Sequence, residues 1–280
     1  MRLLSGLISA SAVLWLAAAS AHAQEIVKFP ASQPNEPKPV NLRGELYRPQ
    51  GNGRFPAVIL MHGCSGWQPA VKFAQHGYAE SLQKRGYVVL NLDSFGPRYY
   101  SGDEMCASNA KLQEALSYRT ADAFDAARYL RRLPYVNGDD IFLMGQSNGG
   151  SVVIKAALQS SLATYRKSAD EPPFRGAVAF YPWCGLVSAG AKFATPVQVF
   201  SGGRDEWVSA RECAGVVATG ADFKVTVYPQ AAHSFDLDIV AQRYAGFLVG
   251  NDPDAAADSR KRMITFLDHR LSGSQVAAAR

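Results

Sequence analysis

Ser147 lies in Gly145-Gln146-Ser147-Asn148-Gly149-Gly150, directly behind the apolar run Ile141-Phe142-Leu143-Met144. A strand that turns sharply into a helix holds a serine hydroxyl clear of its neighbours, and glycines at 145 and 149 leave room for such a turn. A helix starting near Gly149 would aim its positive end at the place where an oxyanion develops. The G-x-S-x-G string alone is common in Gly- and Ser-rich loops. Between an apolar strand and the helix-compatible run Val152 to Leu158, it reads as a nucleophile.

A serine hydroxyl needs a general base within hydrogen-bond reach. His233, in Tyr228-Pro-Gln-Ala-Ala-His233-Ser-Phe235, follows the last strand of the pattern and is the candidate base. His62 ends an early strand and is better placed to shape the loop His62-Gly63-Cys64-Ser65-Gly66. His76 and His269 carry no such signal. The base in turn needs an acid to hold its tautomer. Asp205 follows the strand-and-turn Pro196 to Arg204 and is the first choice, Glu206 the second; Asp236 and Asp238 lie too near His233 in sequence to be preferred. The order Ser147, Asp205, His233 is that of a hydrolase on a doubly wound sheet. Backbone N–H groups of Asn148 and Cys64 are the candidate oxyanion donors. Ser65 lacks the strand-to-helix elbow and is a weak rival nucleophile.

These roles describe acyl transfer to serine, with hydrolysis of a small carboxylic ester as the leading reading. The same triad would serve a peptidase or amidase, and a binding protein could sit on the same scaffold with an idle site. Trp67, Tyr99, Tyr100, Trp183, Trp207 and Phe235 fall in or beside loops after strands and are the candidate substrate pocket. Arg98 and Arg204 could meet a substrate carboxylate. Ser94 to Leu116 reads either as a lid or as the excursion after a strand.

The elements that must carry these residues alternate. Strands are expected at 40–48, 56–62, 87–92, 140–144, 176–181, 196–200 and 223–228. Helices are expected at 73–85, 121–133, near 149–164, 208–218, 237–248 and 254–271. Runs apolar on both faces, alternating with helices, argue a mostly parallel sheet covered on both sides. No internal repeat and no boundary after residue 40 is visible, so residues 40–272 read as one α/β domain. Residues 24–39, rich in Pro and polar groups, read as an extended arm, and 273–280 as a disordered tail.

Residues 1–23 have the form of a secretory signal peptide: Arg2, an apolar stretch from Leu3 to Ala19, then Ala21-His22-Ala23. That places the mature protein in the periplasm or outside the cell, with no stable membrane association after cleavage. In an oxidising compartment the four cysteines should pair. Of three connectivities, Cys64–Cys106 and Cys184–Cys213 are favoured, because each ties together loops that follow strands. A thiolate metal site would want C-x₂-C spacing, which is missing, and neither metal nor cofactor is expected. The net charge of +5 comes from scattered residues without the basic patch and interleaved aromatics that nucleic acid requires.

Val58 to Gly66, Gly86 to Gly96, Gly145 to Gly150, Ser201 to Asp205 and Tyr228 to Phe235 together resemble the α/β-hydrolase fold and, more narrowly, the dienelactone hydrolase family. The resemblance spans residues 40 to about 270 and implies Ser147 as nucleophile, Asp205 as acid and His233 as base. The founding enzymes of that family use a cysteine nucleophile, a glutamate on the early strand and arginines for a substrate carboxylate. This chain has Ser147 at the elbow and His62-Gly63 where the glutamate would stand. The resemblance therefore implies a serine esterase, not a dienelactone-cleaving enzyme.

Overall fold

The computed structural model describes residues 24–32 and 39–271. The expected leader and tail lie outside the described residues. In chain order the elements are β1 (Glu25–Pro30), β2 (Asn41–Tyr47), β3 (Phe55–Met61), α1 (Pro69–Lys84), β4 (Val88–Asp93), α2 (Gly102–Cys106), α3 (Asn109–Arg131), β5 (Val136–Gln146), α4 (Asn148–Ala157) and α5 (Gln159–Tyr165). Then come β6 (Gly176–Phe180), β7 (Lys192–Phe193), β8 (Val197–Gly202), α6 (Ala210–Ala214), β9 (Thr219–Gly220), β10 (Phe223–Tyr228), β11 (Gln242–Tyr244), β12 (Phe247–Val249) and α7 (Pro253–Asp268).

Eight strands form one sheet in the order β1-β2-β4-β3-β5-β6-β8-β10. β2 runs antiparallel to both neighbours, and every pairing from β4 to β10 is parallel. The central parallel strands are buried on both faces, as their continuous apolar runs require: β4 and β6 have no exposed residue, whereas β10, at the edge, is only partly covered. One core layer packs α3 and α4 against the sheet through Leu116, Phe124, Leu130, Val153 and Ile154. The opposite layer packs α1 and α7 through Tyr78, Leu82, Met263 and Leu267. Within the segment read as an arm, Glu25–Pro30 pairs as the edge strand and buries Val27 and Phe29.

The structure departs from expectation in four places. The long helix α3 begins at Asn109, capped by the Ser108 hydroxyl on the Lys111 N–H, rather than near 121. The helix expected across 149–164 is broken at Leu158, whose extended backbone separates α4 from α5. The helix expected at 208–218 is one short turn, α6. The helix expected at 237–248 is instead the hairpin β11–β12. There Ala245 and Gly246 both take positive φ, 49° and 87°, a two-residue turn that matches strand twist and that no helix accommodates.

The excursion from Ser94 to Leu116 is folded, not loose. Phe95, Met105, Ala115 and Tyr118 form a small cluster of their own, and a Cys64–Cys106 disulfide ties α2 to the loop after β3. The second disulfide joins Cys184 to Cys213, between the loop after β6 and α6. Both pairings are the expected ones, because parallel strands deliver their following loops to one edge of the sheet.

Candidate active site

The C-terminal ends of β3, β5, β6, β8 and β10 meet at one edge, where an open parallel sheet presents its crevice. At the end of β5 the chain must reverse within one residue. Ser147 takes that turn with φ 54° and ψ −121°, a strained combination for a non-glycine residue. The turn is held by the Ser147 N–H donating to Phe180 O at 2.9 Å. It also needs bare backbone on both sides. A Cβ at Gly149 would lie 2.2 Å from Met61 O, and one at Gly145 would lie 2.3 Å from Gly149 O. The two glycines flanking the serine are therefore a steric requirement of the close approach between β3, β5 and α4.

The structure brings Ser147, His233 and Asp205 together although they come from three separate loops. Ser147 Oγ lies 2.9 Å from His233 Nε2, and His233 Nδ1 lies 2.7 Å from Asp205 Oδ2. The other Asp205 oxygen, Oδ1, accepts from the backbone N–H groups of Trp207 (2.9 Å) and Val208 (3.0 Å). With both oxygens engaged, the carboxylate has one orientation. Glu206 next to it points elsewhere, pairing with Arg243 at the surface. The loop carrying His233 is anchored by Gly250 N–H donating to His233 O, and the ring is clasped between Tyr181 (4.6 Å between centroids) and Trp207 (5.1 Å).

Beneath His233 lies a polar knot that the sequence did not reveal. Asp236, wholly buried, accepts from Tyr78 Oη (2.8 Å), Tyr181 Oη (2.5 Å) and Gln146 Nε2 (2.6 Å). Burial and the Asp236 charge push the Tyr181 phenol well above its ordinary pKa, so it stays a donor. The knot fixes Tyr181, which in turn packs on the imidazole. Asp236 therefore supports the His233 ring from below, through Tyr181, and leaves Asp205 as its hydrogen-bond partner.

The loop Gly63-Cys64-Ser65 closes the site opposite His233. Cys64 borders the cleft on both sides of Ser147, and Asn148 borders it on one. His62 is wholly buried and organises this loop. Its Nε2 accepts the Ser94 N–H at 3.2 Å, so the neutral ring carries its proton on Nδ1, which donates to Gly63 O at 2.7 Å. Burial, with the Arg119 cation beside it, holds the His62 pKa well below its ordinary value.

Arg119 is the residue that sequence reasoning missed. It is wholly buried, and its guanidinium donates at 2.6 Å to both Asn148 Oδ1 and His62 O. One side chain thus bridges the residue after Ser147 and the start of the opposite loop. Burial pulls the guanidinium down to a pKa of about 10, still charged at neutral pH. A signal was present: Arg119 stands at helical spacing between the apolar residues Leu116 and Ala123.

The cleft has two arms that share Ser147, Cys64 and Trp207. One, about 220 Å³, runs between Val71, Leu237, Ile239, Tyr244 and His233. The other, about 270 Å³, runs between Leu112, Leu116, Trp183 and Val208. Of the six aromatic residues proposed for the pocket, Trp183 and Trp207 line the cleft. Phe235 does not: it is wholly buried in the core against Phe180, Tyr181 and Tyr228. Tyr99 is 95% exposed, Tyr100 packs on Phe95 and Tyr118, and Trp67 stacks under Arg43 and Lys72, so these three lie away from both arms. Arg98 is also not a substrate contact. It is buried in a two-pronged pair with Asp122, both bonds 2.9 Å, while Arg204 is exposed outside the cleft.

A larger groove of about 890 Å³ lies on the far side, between the Pro49–Pro56 turn and the end of α1. It touches none of these residues. Among the described residues there is no cluster of His, Cys, Asp and Glu fit to hold a metal ion, and no helix is long and apolar enough to cross a membrane.

Known proteins share this arrangement of chain. A Bradyrhizobium protein named "Probable 2-oxo-3-(5-oxofuran-2-ylidene)propanoate lactonase" is 27% identical over 209 residues, covering 68% of this chain and 77% of that one. A dienelactone hydrolase-like promiscuous phosphotriesterase from metagenomic libraries superposes with a TM-score of 0.67 at 18% identity, over 89% of this chain and 100% of that one. Esterase 2 of Thermogutta terrifontis superposes at 0.51 with 19% identity, over 88% and 94% of the two chains. At such identities these two structures are a likeness of fold. The family described as "Dienelactone hydrolase family" matches residues 42–271, from the second strand to the end of the last helix, and the chain belongs to it.

Proposed function

We propose that this protein is an exported serine hydrolase that cleaves small carboxylic esters through an acyl-enzyme. The observation that carries the reading is the unbroken relay from Ser147 Oγ to His233 to Asp205, at 2.9 and 2.7 Å. Geometry of this kind lets the imidazole take the hydroxyl proton while the carboxylate stabilises the resulting imidazolium. Ser147 attacks the ester carbonyl, and the carbonyl oxygen turns toward the backbone N–H groups of Asn148 and Cys64. His233 then returns its proton to the departing alcohol oxygen. Water, deprotonated by the same imidazole, releases the acid and restores the serine. The lactone named for the Bradyrhizobium relative is a cyclic ester, in keeping with this chemistry. The signal-like segment at residues 1–23 and the two disulfides support export to an oxidising compartment.

The test is direct. A fluorophosphonate probe should add to wild-type protein at Ser147, seen by intact mass and peptide mapping, and hydrolysis of short p-nitrophenyl esters should accompany it. Ser147→Ala should lose both while keeping its circular dichroism spectrum. A folded wild type that neither labels nor hydrolyses any ester would remove this reading.

A further inference from the structure

We infer that the cleft sorts the two halves of an uncharged ester, taking the alcohol part into the arm beside His233 and the acyl part into the arm beside Trp183. The inference rests on the esterase reading above and deepens it. A tetrahedral carbon bonded to Ser147 Oγ has three other substituents: the oxyanion, the leaving oxygen with its alcohol, and the acyl chain. The leaving oxygen must lie within reach of His233 Nε2, because that atom delivers its proton. His233 borders only the arm of about 220 Å³, so the alcohol goes there. The oxyanion is directed at the loop and at α4. The acyl chain is left with the arm of about 270 Å³, between α3 and the loop after β6.

Trp207 makes the partition. It borders both arms and is held at three points: its backbone N–H donates to Asp205 Oδ1, its ring stacks on Phe247 at 4.8 Å between centroids, and the same ring packs at a tilt against His233 at 5.1 Å. A wall anchored to the catalytic acid and to the β11–β12 hairpin keeps the arms separate. Each arm falls below the roughly 300 Å³ at which pockets hold a whole ligand, so each suits one part of a substrate.

Chemistry of the walls sets the substrate class. The alcohol arm is built from Val71, Leu237, Ile239 and Tyr244, the acyl arm from Leu112, Leu116 and Trp183, and each is also lined by neutral amide and hydroxyl side chains, among them Gln68 and Gln242 in the first and Asn109 and Gln113 in the second. The nearby arginines are committed elsewhere. Arg98 is engaged by Asp122, Arg243 by Glu206, and Arg119 lies behind Asn148 rather than on the cleft surface. A carboxylate carried into either arm would lose water without gaining a counter-ion, and a neutral apolar or aromatic group would not.

Two ester series test this, one lengthening the acyl chain on a constant alcohol and one enlarging the alcohol on a constant acetyl group. Leu112→Trp should lower kcat/KM for hexanoyl esters by about tenfold and leave the alcohol series little changed; Ile239→Trp should do the converse. Leu112→Ala, which opens the acyl arm, should shift preference toward longer acyl chains and covers the case in which the bulky variant misfolds. On wild type, a monoester with a terminal carboxylate on its acyl chain should turn over about a hundredfold more slowly than its uncharged isostere. Equal or faster turnover of the anionic ester, or an acyl-arm substitution that acts on the alcohol series, would overturn the inference. Fluorophosphonate labelling of Ser147 in the same preparations separates the two levels. Labelled enzyme with the wrong selectivity sinks only the partition, and unlabelled wild type sinks the esterase reading beneath it.

Discussion

Arg119 donates to the Asn148 side-chain oxygen at 2.6 Å from a position with no solvent exposure, and with its second nitrogen it holds His62 O. The two segments proposed to supply oxyanion donors are thereby fastened to one planar group. Two parallel-forked bonds are something a guanidinium makes and an ammonium does not.

Arg119→Lys keeps the charge and Arg119→Met keeps the volume, but neither has the two coplanar nitrogens with which Arg119 meets Asn148 Oδ1 and His62 O. Both variants should lose about tenfold to a hundredfold in kcat, since a displaced oxyanion donor costs up to about 10³. KM should change little, because the arms of the cleft are untouched. Steady-state kinetics alongside a thermal melt check this. A fall in Tm with kcat unchanged would reduce Arg119 to a packing residue.

The two disulfides make a controlled comparison. They close loops of similar length, with separations of 42 and 29 residues, so chain entropy predicts about 4 kcal/mol of stabilisation from each. Their functional weight should differ. Replacing Cys64 and Cys106 together by alanine frees the loop that faces Ser147 and should lower kcat per folded molecule several-fold. Replacing Cys184 and Cys213 should act mainly on Tm. Kinetics at a temperature where both variants are fully folded distinguishes the two effects.

Asp205 and Glu206 are adjacent acids that only geometry separates. Asp205→Asn should cut kcat by about 10⁴, the magnitude known for the equivalent change in a serine protease triad, because the amide holds the wrong imidazole tautomer. Glu206→Gln loses a surface pair with Arg243 and should leave activity within a factor of about two. Comparable losses in both variants would mean that the acid has been misassigned.

His62 gives the fold an acid-sensitive component. Its folded pKa is held well below the ordinary value by burial and then by Arg119, while in the unfolded chain it returns to about 6.5. Below that pH the unfolded state binds a proton that the folded state refuses, so stability falls as pH falls. The slope is at most about 1.4 kcal/mol per pH unit, with the full contribution present above pH ~6.5. Urea melts at pH 7, 6 and 5 should show a shallower decline for His62→Gln than for wild type. Equal slopes would mean that the folded imidazole titrates freely.

Much of the architecture was already legible in the order of residues. Apolar runs such as Val58 to Met61 and Ile141 to Met144, short and each ended by a polar residue or a glycine, read as strands covered on both faces, and the serine elbow follows from two glycines that nothing larger could replace. Because parallel strands send every following loop to one edge, the order Ser147, Asp205, His233 and the cysteine pairing could be inferred from where each residue falls after its strand. Other features depended on packing between distant segments. Residues 237–248 have a periodicity that suits helix or hairpin, and the positive φ turn at Ala245-Gly246 with Phe247 seated on Trp207 decides for the hairpin. An aromatic side chain in a loop can turn inward, outward or along the cleft, so Phe235 became core, Tyr99 solvent-facing and Trp207 a dividing wall. The sequence alone determined which residues reach the reactive edge of the sheet. Only the tertiary structure decided which of them face the substrate and which buried partners, Arg119 and Asp236 above all, hold them there, since those bonds join residues between 29 and 158 positions apart.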